Sequence, residues 1–169
     1  MAECMLIEEN GCAHFMTKRF DRENGRKIHM HTLCGLAHYD FRLQRAYSYE
    51  QAFDVMRMLR LPYSSAQEMF RRVVFNVVVR NQDDHTKNIS FLMGDDGRWH
   101  LSPAYDMGYS YNAQGGWTAK HQMSVNGKYE GITRSDLLTF ADVNNIKNAT
   151  MIIEQVVDAA ARWPRMAQD

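Results

Sequence analysis

Asn81-Gln82-Asp83-Asp84-His85-Thr86-Lys87-Asn88, with Asp106 eighteen residues beyond Asn88 at the end of Ser102-Pro103-Ala104-Tyr105-Asp106, decides how this chain is read. Transfer of a phosphoryl group to a hydroxyl needs one carboxylate to orient the hydroxyl. It also needs an amide and a second carboxylate to hold the magnesium that bridges the ATP phosphates. Asp83, Asn88 and Asp106 supply those three acceptors, provided that the chain between Asn88 and Asp106 doubles back.

The intervening residues predict that return. Ile89-Ser90-Phe91-Leu92-Met93 and Arg98-Trp99-His100-Leu101-Ser102 flank Gly94-Asp95-Asp96-Gly97, two apolar runs around a turn. Antiparallel pairing places Asn88 and Asp106 at the same end of that hairpin. Upstream, Val73-Val74-Phe75-Asn76-Val77-Val78-Val79 leads into the Asp83 loop. Its β-branched content suits a strand, but its length and a capping box at Ser65 and Glu68 favour a buried helix. A further capping box, Ser48 with Gln51, opens a helix carrying Ala52, Met56 and Leu59, closed by Leu61-Pro62.

Toward the N-terminus, Asn10-Gly11 between Glu3–Ile7 and Cys12–Thr17 marks a hairpin. The segment 29–41 carries no clear period. Past Asp106, 107–117 reads as a loop rich in Gly and Tyr, Leu137–Val143 as a helix, and Ala149–Trp163 as a helix stopped by Pro164. Met56, Met69 and Met151 fall on apolar faces as core filler.

Composition bounds the rest. The 169 residues are 45% apolar, enough for one globular core. Twenty basic residues balance twenty acidic ones, which gives no support to a nucleic-acid surface. Three cysteines without a CxxC pair indicate neither a disulfide framework nor a zinc knuckle. There is no membrane-length apolar run and no signal pattern, so a cytoplasmic protein is expected.

Asp83, Asp84 and His85 taken alone read most simply as solvated turn residues. As ligands of a metal-dependent hydrolase they lack a supporting His-x-x-x-His partner, and His29 and His31 read as strand or turn residues. The conjunction is what counts. Asp83 and Asn88 have the Asp-x-x-x-x-Asn spacing of a kinase catalytic loop, and Asp106 follows from a hairpin.

These residues, together with Lys18-Arg19-Phe20-Asp21-Arg22 and Thr32-Leu33-Cys34-Gly35-Leu36-Ala37-His38, resemble the C-terminal domain of HipA-type serine/threonine kinases. The resemblance implies an α+β, mainly helical fold: the C-terminal lobe of a bilobed kinase, with a catalytic loop and a β-hairpin. It divides the chain into hinge-proximal strands over 1–28 and the kinase lobe over 29–169. It makes Asp83 the catalytic base, with Lys87 neutralising developing charge, and Asn88 and Asp106 ligands of Mg2+. His85, Thr86, Lys87 and Tyr105 would line the nucleotide, and Lys18, Arg19 and Phe20 would form the hinge that holds adenine. ATP and Mg2+ are the implied cofactors. A helix-turn-helix antitoxin and an aminoacyl-tRNA synthetase substrate are the implied partners in a bacterial cytoplasm, with DNA reached only through the antitoxin.

The pattern is not complete. Lys18 stands where the family commonly has Glu, and no Gly-rich phosphate loop or strand lysine precedes it. A fragment, a split product or a decayed copy is therefore expected, with little or no kinase activity alone and its N-lobe supplied in cis or by a separate chain. A non-catalytic module that docks an antitoxin or synthetase is the alternative. A small-molecule or lipid kinase with the same loop logic is a third reading.

Overall fold

The computed structural model describes residues 1–166. In chain order these form β1 (Cys4–Glu9), β2 (Cys12–Thr17), β3 (Arg22–Glu23), β4 (Arg26–Lys27), β5 (His29–Thr32), α1 (Leu33–Leu36), β6 (Tyr47–Ser48), α2 (Tyr49–Met58) and α3 (Tyr63–Val78). Then come β7 (Ser90–Met93), β8 (Trp99–Leu101), β9 (Met123–Ser124), α4 (Arg134–Val143), α5 (Ala149–Ala161) and α6 (Trp163–Met166). A mixed α/β body results, and the helices dominate its core.

α3 is the central element. Val73, Val74, Phe70 and Met69 are fully buried on it, and α5 packs along it through Ile152, Ile153 and Val156. Phe140 of α4 meets Phe53 of α2 edge-on at 5.2 Å between ring centroids and stacks parallel to Phe70, joining three helices through aromatic contact. The β-branched run thus folds as helix because the helices around it bury its apolar side. The capping box assigned to Ser65 and Glu68 is not formed. Pro62, already extended, precedes the first helical residue, and Glu68 instead accepts from Arg72 at 3.0 Å. Arg72 in turn donates to the Ser102 carbonyl at 2.7 Å, tying α3 to the end of β8. The Ser48–Gln51 capping box of α2 is present with both of its bonds.

β7 lies between β5 and β8 in an antiparallel sheet, Phe91 opposite Leu101 and His31 opposite Phe91 on the other edge. The predicted hairpin is there, and the unassigned segment supplies its third strand and α1. His29 and His31 are strand residues, grouped around the Trp99 ring. At the C-terminal end Pro164 does not stop α5, which ends at Ala161; the proline lies in the first turn of α6, where its missing N–H costs nothing. Met151 is half-exposed on α5 and is not core, whereas Met56 and Met69 are buried.

β1 and β2 pair over six positions through an Asn10-Gly11 turn with both residues at positive φ, the geometry such a turn demands. This hairpin is exposed on both faces: Met5, Leu6, Phe15 and Met16 all stand in solvent. It attaches to the body through Ala2, whose N–H donates to the Ala104 carbonyl at 2.9 Å.

Candidate active site

α3 delivers the chain into the candidate loop through its own termination. Arg80 adopts the left-handed conformation, its N–H donating to the Val77 carbonyl, and the Asn81 N–H reaches back to the Asn76 carbonyl at 2.9 Å. That 6→1 bond caps the helix and turns the backbone sharply. Residues 81–85 then run without regular structure, and Thr86–Asn88 close as a single 3-10 turn that feeds β7.

A continuous relay of side chains fixes this loop. The Asp83 N–H donates to Ser110 Oγ (3.0 Å), which donates to Asn81 Oδ1 (3.1 Å). Asn81 Nδ2 donates to Asn76 Oδ1 (2.9 Å), and Asn76 Nδ2 to Tyr49 Oη (2.8 Å). Tyr49 Oη donates to Asp84 Oδ2 (2.8 Å). The relay therefore leaves the loop at Asp83, passes through α3 and α2, and returns at Asp84. His121 Nδ1 bonds the same Asp84 oxygen at 2.8 Å, and the Gln122 N–H donates to the other at 2.8 Å. Burial and the Asp84 charge push the Tyr49 phenol well above its ordinary range, so it stays a donor.

Asp84 is thus the opposite of a solvated turn residue: it is fully buried and satisfied. Sequence reasoning missed it, along with Tyr49, Asn76, Ser110 and His121. Asn76 was the available signal, because a lone amide inside a valine-rich buried helix must find partners.

Asp83 itself keeps its carboxylate partly exposed, with His85 Nε2 3.9 Å away. Its carbonyl accepts from the His85 N–H (2.9 Å) and from Asn88 Nδ2 (3.0 Å). The second bond fixes the Asn88 amide so that Oδ1 has no partner among the described residues. Asp106 is at φ 55, an uncommon backbone state for a non-glycine residue, and its carbonyl accepts from Asn81 Nδ2 at 3.5 Å. Of the two expected metal ligands, Asn88 is therefore tied to Asp83 and Asp106 to Asn81, two residues of one loop. Among the described residues no group of three or more His, Cys, Asp or Glu side chains could hold a metal. An amide oxygen plus one carboxylate, completed by phosphates, is nevertheless an all-oxygen donor set of the kind magnesium takes.

The remaining predicted residues fall into two sets. Tyr105 donates to the Lys87 carbonyl at 2.6 Å, shares a short bond with Ser90 Oγ, and packs against Phe20 at 5.6 Å between centroids. It thereby joins the loop, the sheet and the segment that carries Phe20, and burial raises its phenol pKa. Thr86 is buried, while His85 Nδ1 is buried without a partner. Lys87 Nζ sits 4.3 Å above the Phe41 ring. Lys18, Arg19 and Phe20 line an open pocket of about 520 Å³ with Ala2, Ile28 and Pro103. Lys18 pairs with Glu3, and Arg19 forks onto Asp21, whose carboxyl that bond lowers to about 2. The backbone groups of Arg19 and Phe20 make no hydrogen bond to the rest of the described chain.

Residues 1–163 match the family model of the HipA-like C-terminal domain. The chain belongs to that family. As a fold, this HipA-like domain is similar to a chain in the complex of the Shewanella oneidensis MR-1 toxin–antitoxin system HipA, HipB and its operator DNA. The TM-score is 0.71 at 20% identity, over 97% of this chain but only 43% of that one. The domain thus spans less than half the length of its structural relative. No curated protein matches it by sequence. No helix among its described residues is long and apolar enough to cross a membrane.

Proposed function

We propose that this HipA-like domain is the catalytic lobe of a serine/threonine kinase, carrying the base and the metal ligands for ATP-dependent phosphorylation of a protein hydroxyl. The observation that carries the reading is the relay from Asp83 to Asp84. It holds the backbone of the candidate base rigid while its carboxylate stays open, and two of its members, Asp83 and Asn81, tether Asn88 and Asp106 respectively.

When bound, Mg2+ would neutralise charge on the ATP phosphates, with Asn88 Oδ1 and Asp106 as its protein ligands. Asp83 orients the acceptor hydroxyl and takes its proton. The hydroxyl oxygen bonds to the γ-phosphorus as the bond to the ADP oxygen breaks. The unpaired backbone of Arg19 and Phe20 in the pocket beside Pro103 suits the adenine edge. His85, Thr86, Lys87 and Tyr105 frame the loop between, with Lys87 leaving Phe41 to reach the phosphates.

Residues 1–28 are assigned to the hinge side and 29–169 to the lobe. A helix-turn-helix antitoxin and an aminoacyl-tRNA synthetase are the proposed partner and substrate. The residues ahead of Lys18 form one hairpin and offer no glycine-rich cover, so efficient transfer requires an N-terminal lobe, in cis or as a separate chain. The exposed apolar faces of β1 and β2 are where that lobe would pack. Those same faces favour a second reading, a docking module without catalysis.

The test is thermal unfolding with Mg-ATP, for this chain and for Asp106→Asn. At a hundred times the dissociation constant, a bound nucleotide adds about 2.7 kcal/mol. Stabilisation that the variant loses supports the kinase reading. Equal behaviour of both proteins, with partner capture unaffected by Asp83→Asn, selects the docking module.

A further inference from the structure

The edge of the three-stranded sheet carries a pair of imidazoles that none of the roles above uses. β5 is the outer strand of that sheet, and His29 and His31 stand two residues apart on it, on one face and exposed to solvent. Their ring centroids are 5.0 Å apart, with the ring planes at 64°. Two imidazoles on one ion have metal–nitrogen bonds of about 2.1 Å, which sets their centroids roughly 4.5 Å apart at a right-angled metal and roughly 5.2 Å apart at a tetrahedral one. The observed spacing falls between those limits. Met93 pairs with His29 on one side and with Trp99 on the other, which puts the indole on the same face. Its ring lies 5.6 Å from His29 and 6.3 Å from His31 and restrains both. Neither imidazole makes a hydrogen bond or ion pair among the described residues. A Cβ added at Gly35 would stand 3.5 Å from His31 Nδ1, so that nitrogen faces α1 and Nε2 is the one left to bind. Glu23 and Asp95 share the adjoining pocket with Arg26, Lys27 and His29, so the surrounding charges cancel and do not repel a dication.

We infer that His29 and His31 form a chelating pair for a divalent transition ion of the copper, nickel and zinc class. Imidazole suits those ions, whereas magnesium takes oxygen ligands. The protein supplies two nitrogens, because no third His, Cys, Asp or Glu stands close enough among the described residues. Water fills the remaining positions, so the site is open and its ion exchangeable. The strand is what makes the pair a chelate. Its pleat fixes the spacing, Trp99 limits ring rotation, and once one nitrogen is bound the second closes intramolecularly. On a helix the same two residues would point apart. His29 lies opposite Met93, next to the 94–97 turn, whereas Asn88 precedes the other end of β7. The pair is therefore separate from the candidate magnesium ligands, and the inference does not rest on the kinase reading.

The experiment titrates this chain, without nucleotide, with Cu2+, Ni2+ and Zn2+, read by calorimetry, tryptophan fluorescence and the imidazole resonances in NMR. Cu2+ should bind more tightly than Ni2+, and both, being open-shell, should quench Trp99. Zn2+, a closed d-shell ion, should move the His29 and His31 resonances without quenching. Trp99→Phe should remove the quenched component and leave calorimetric binding in place. His29→Ala and His31→Ala should each weaken Ni2+ about ten-fold or more, since the chelate is reduced to one bond. Both residues are exposed, so the metal-free melting temperatures should match the parent. The double change His31→Ala with Met30→His keeps the number of histidines but moves one to the opposite face, and should not restore binding. Excess Mg2+ should leave Ni2+ binding unchanged. Undiminished Ni2+ binding in either single variant, recovery in the double variant, first resonance shifts at His14, His38 or His100, or displacement by Mg2+ would each overturn the inference. Because neither ATP nor Asp106 enters the readout, a failure here is read separately from a failure of the kinase reading.

Discussion

Asp83 and Asp84 are neighbours with unrelated duties. One presents a carboxylate to solvent, while the other is buried and anchors the loop. Substitutions should separate them cleanly. On the proposed kinase reading, and with an N-terminal lobe supplied, Asp83→Asn should abolish transfer with ATP binding and melting temperature nearly unchanged, measured by radiolabel transfer and nucleotide titration. Normal turnover in that variant removes Asp83 as base. Asp84→Ala should instead destabilise by about 3 kcal/mol, because Tyr49, His121 and the Gln122 N–H all lose one buried charged partner. A thermal melt should show a drop of roughly 6–12 °C. At this scale the sequence was partly readable. The kinase-loop spacing singles out Asp83, Asn88 and Asp106 as candidates, and the structure places Asp83 and Asn88 in one loop. Asp84 did not stand out, since its partners Tyr49, His121 and Gln122 lie more than thirty residues away in sequence, and no local pattern announces which polar residue a fold will bury.

At the level of elements, local rules succeeded where the signal lay within one turn and failed where tertiary context decided. Ser48 with Gln51 and Asn10-Gly11 specify their geometry through hydrogen bonds and φ values available to a short peptide. The Ser65–Glu68 box was outcompeted by Pro62, which starts α3 three residues earlier than a cap at Ser65 would have allowed. Thr133 caps α4, and the Asp136 carboxylate receives the Thr133 N–H at 2.8 Å and Lys128 Nζ at 2.8 Å. Removing either N-cap, Ser48→Ala or Thr133→Ala, should cost about 1 kcal/mol, read by urea denaturation. The Lys128 bond, with those from Thr133, holds the Asp136 carboxyl well below its ordinary range. A depressed carboxyl stabilises the fold above its unfolded pKa of about 3.9, and that contribution disappears as pH falls through the lower folded value. Melting curves from pH 7 to 2.5 should therefore decline less steeply for Asp136→Asn than for the parent. Parallel curves would assign the acid sensitivity elsewhere.

For the whole molecule, the contrast lies between a helical body with a continuous core and a hairpin whose two faces both expose apolar side chains. Phe15→Glu should leave the unfolding free energy of this chain within about 0.5 kcal/mol of its parent, since a surface position is changed. The same change should weaken association with an N-terminal lobe supplied as a separate chain, measured by analytical ultracentrifugation. Undiminished association would place the junction elsewhere.

The relay beneath the loop has a consequence for how such a domain can be controlled. Amides whose bonds are sewn into a core exchange with deuterium only when the whole body opens, whereas a solvent-flanked ribbon frays on its own. The Asn81 and His85 amides belong to the first kind, and the amides along β1 and β2 to the second. The candidate loop is thus built as a permanent fixture. Any on–off control must act by docking or undocking what sits upon it, through the frayed ribbon, and not by melting the loop itself.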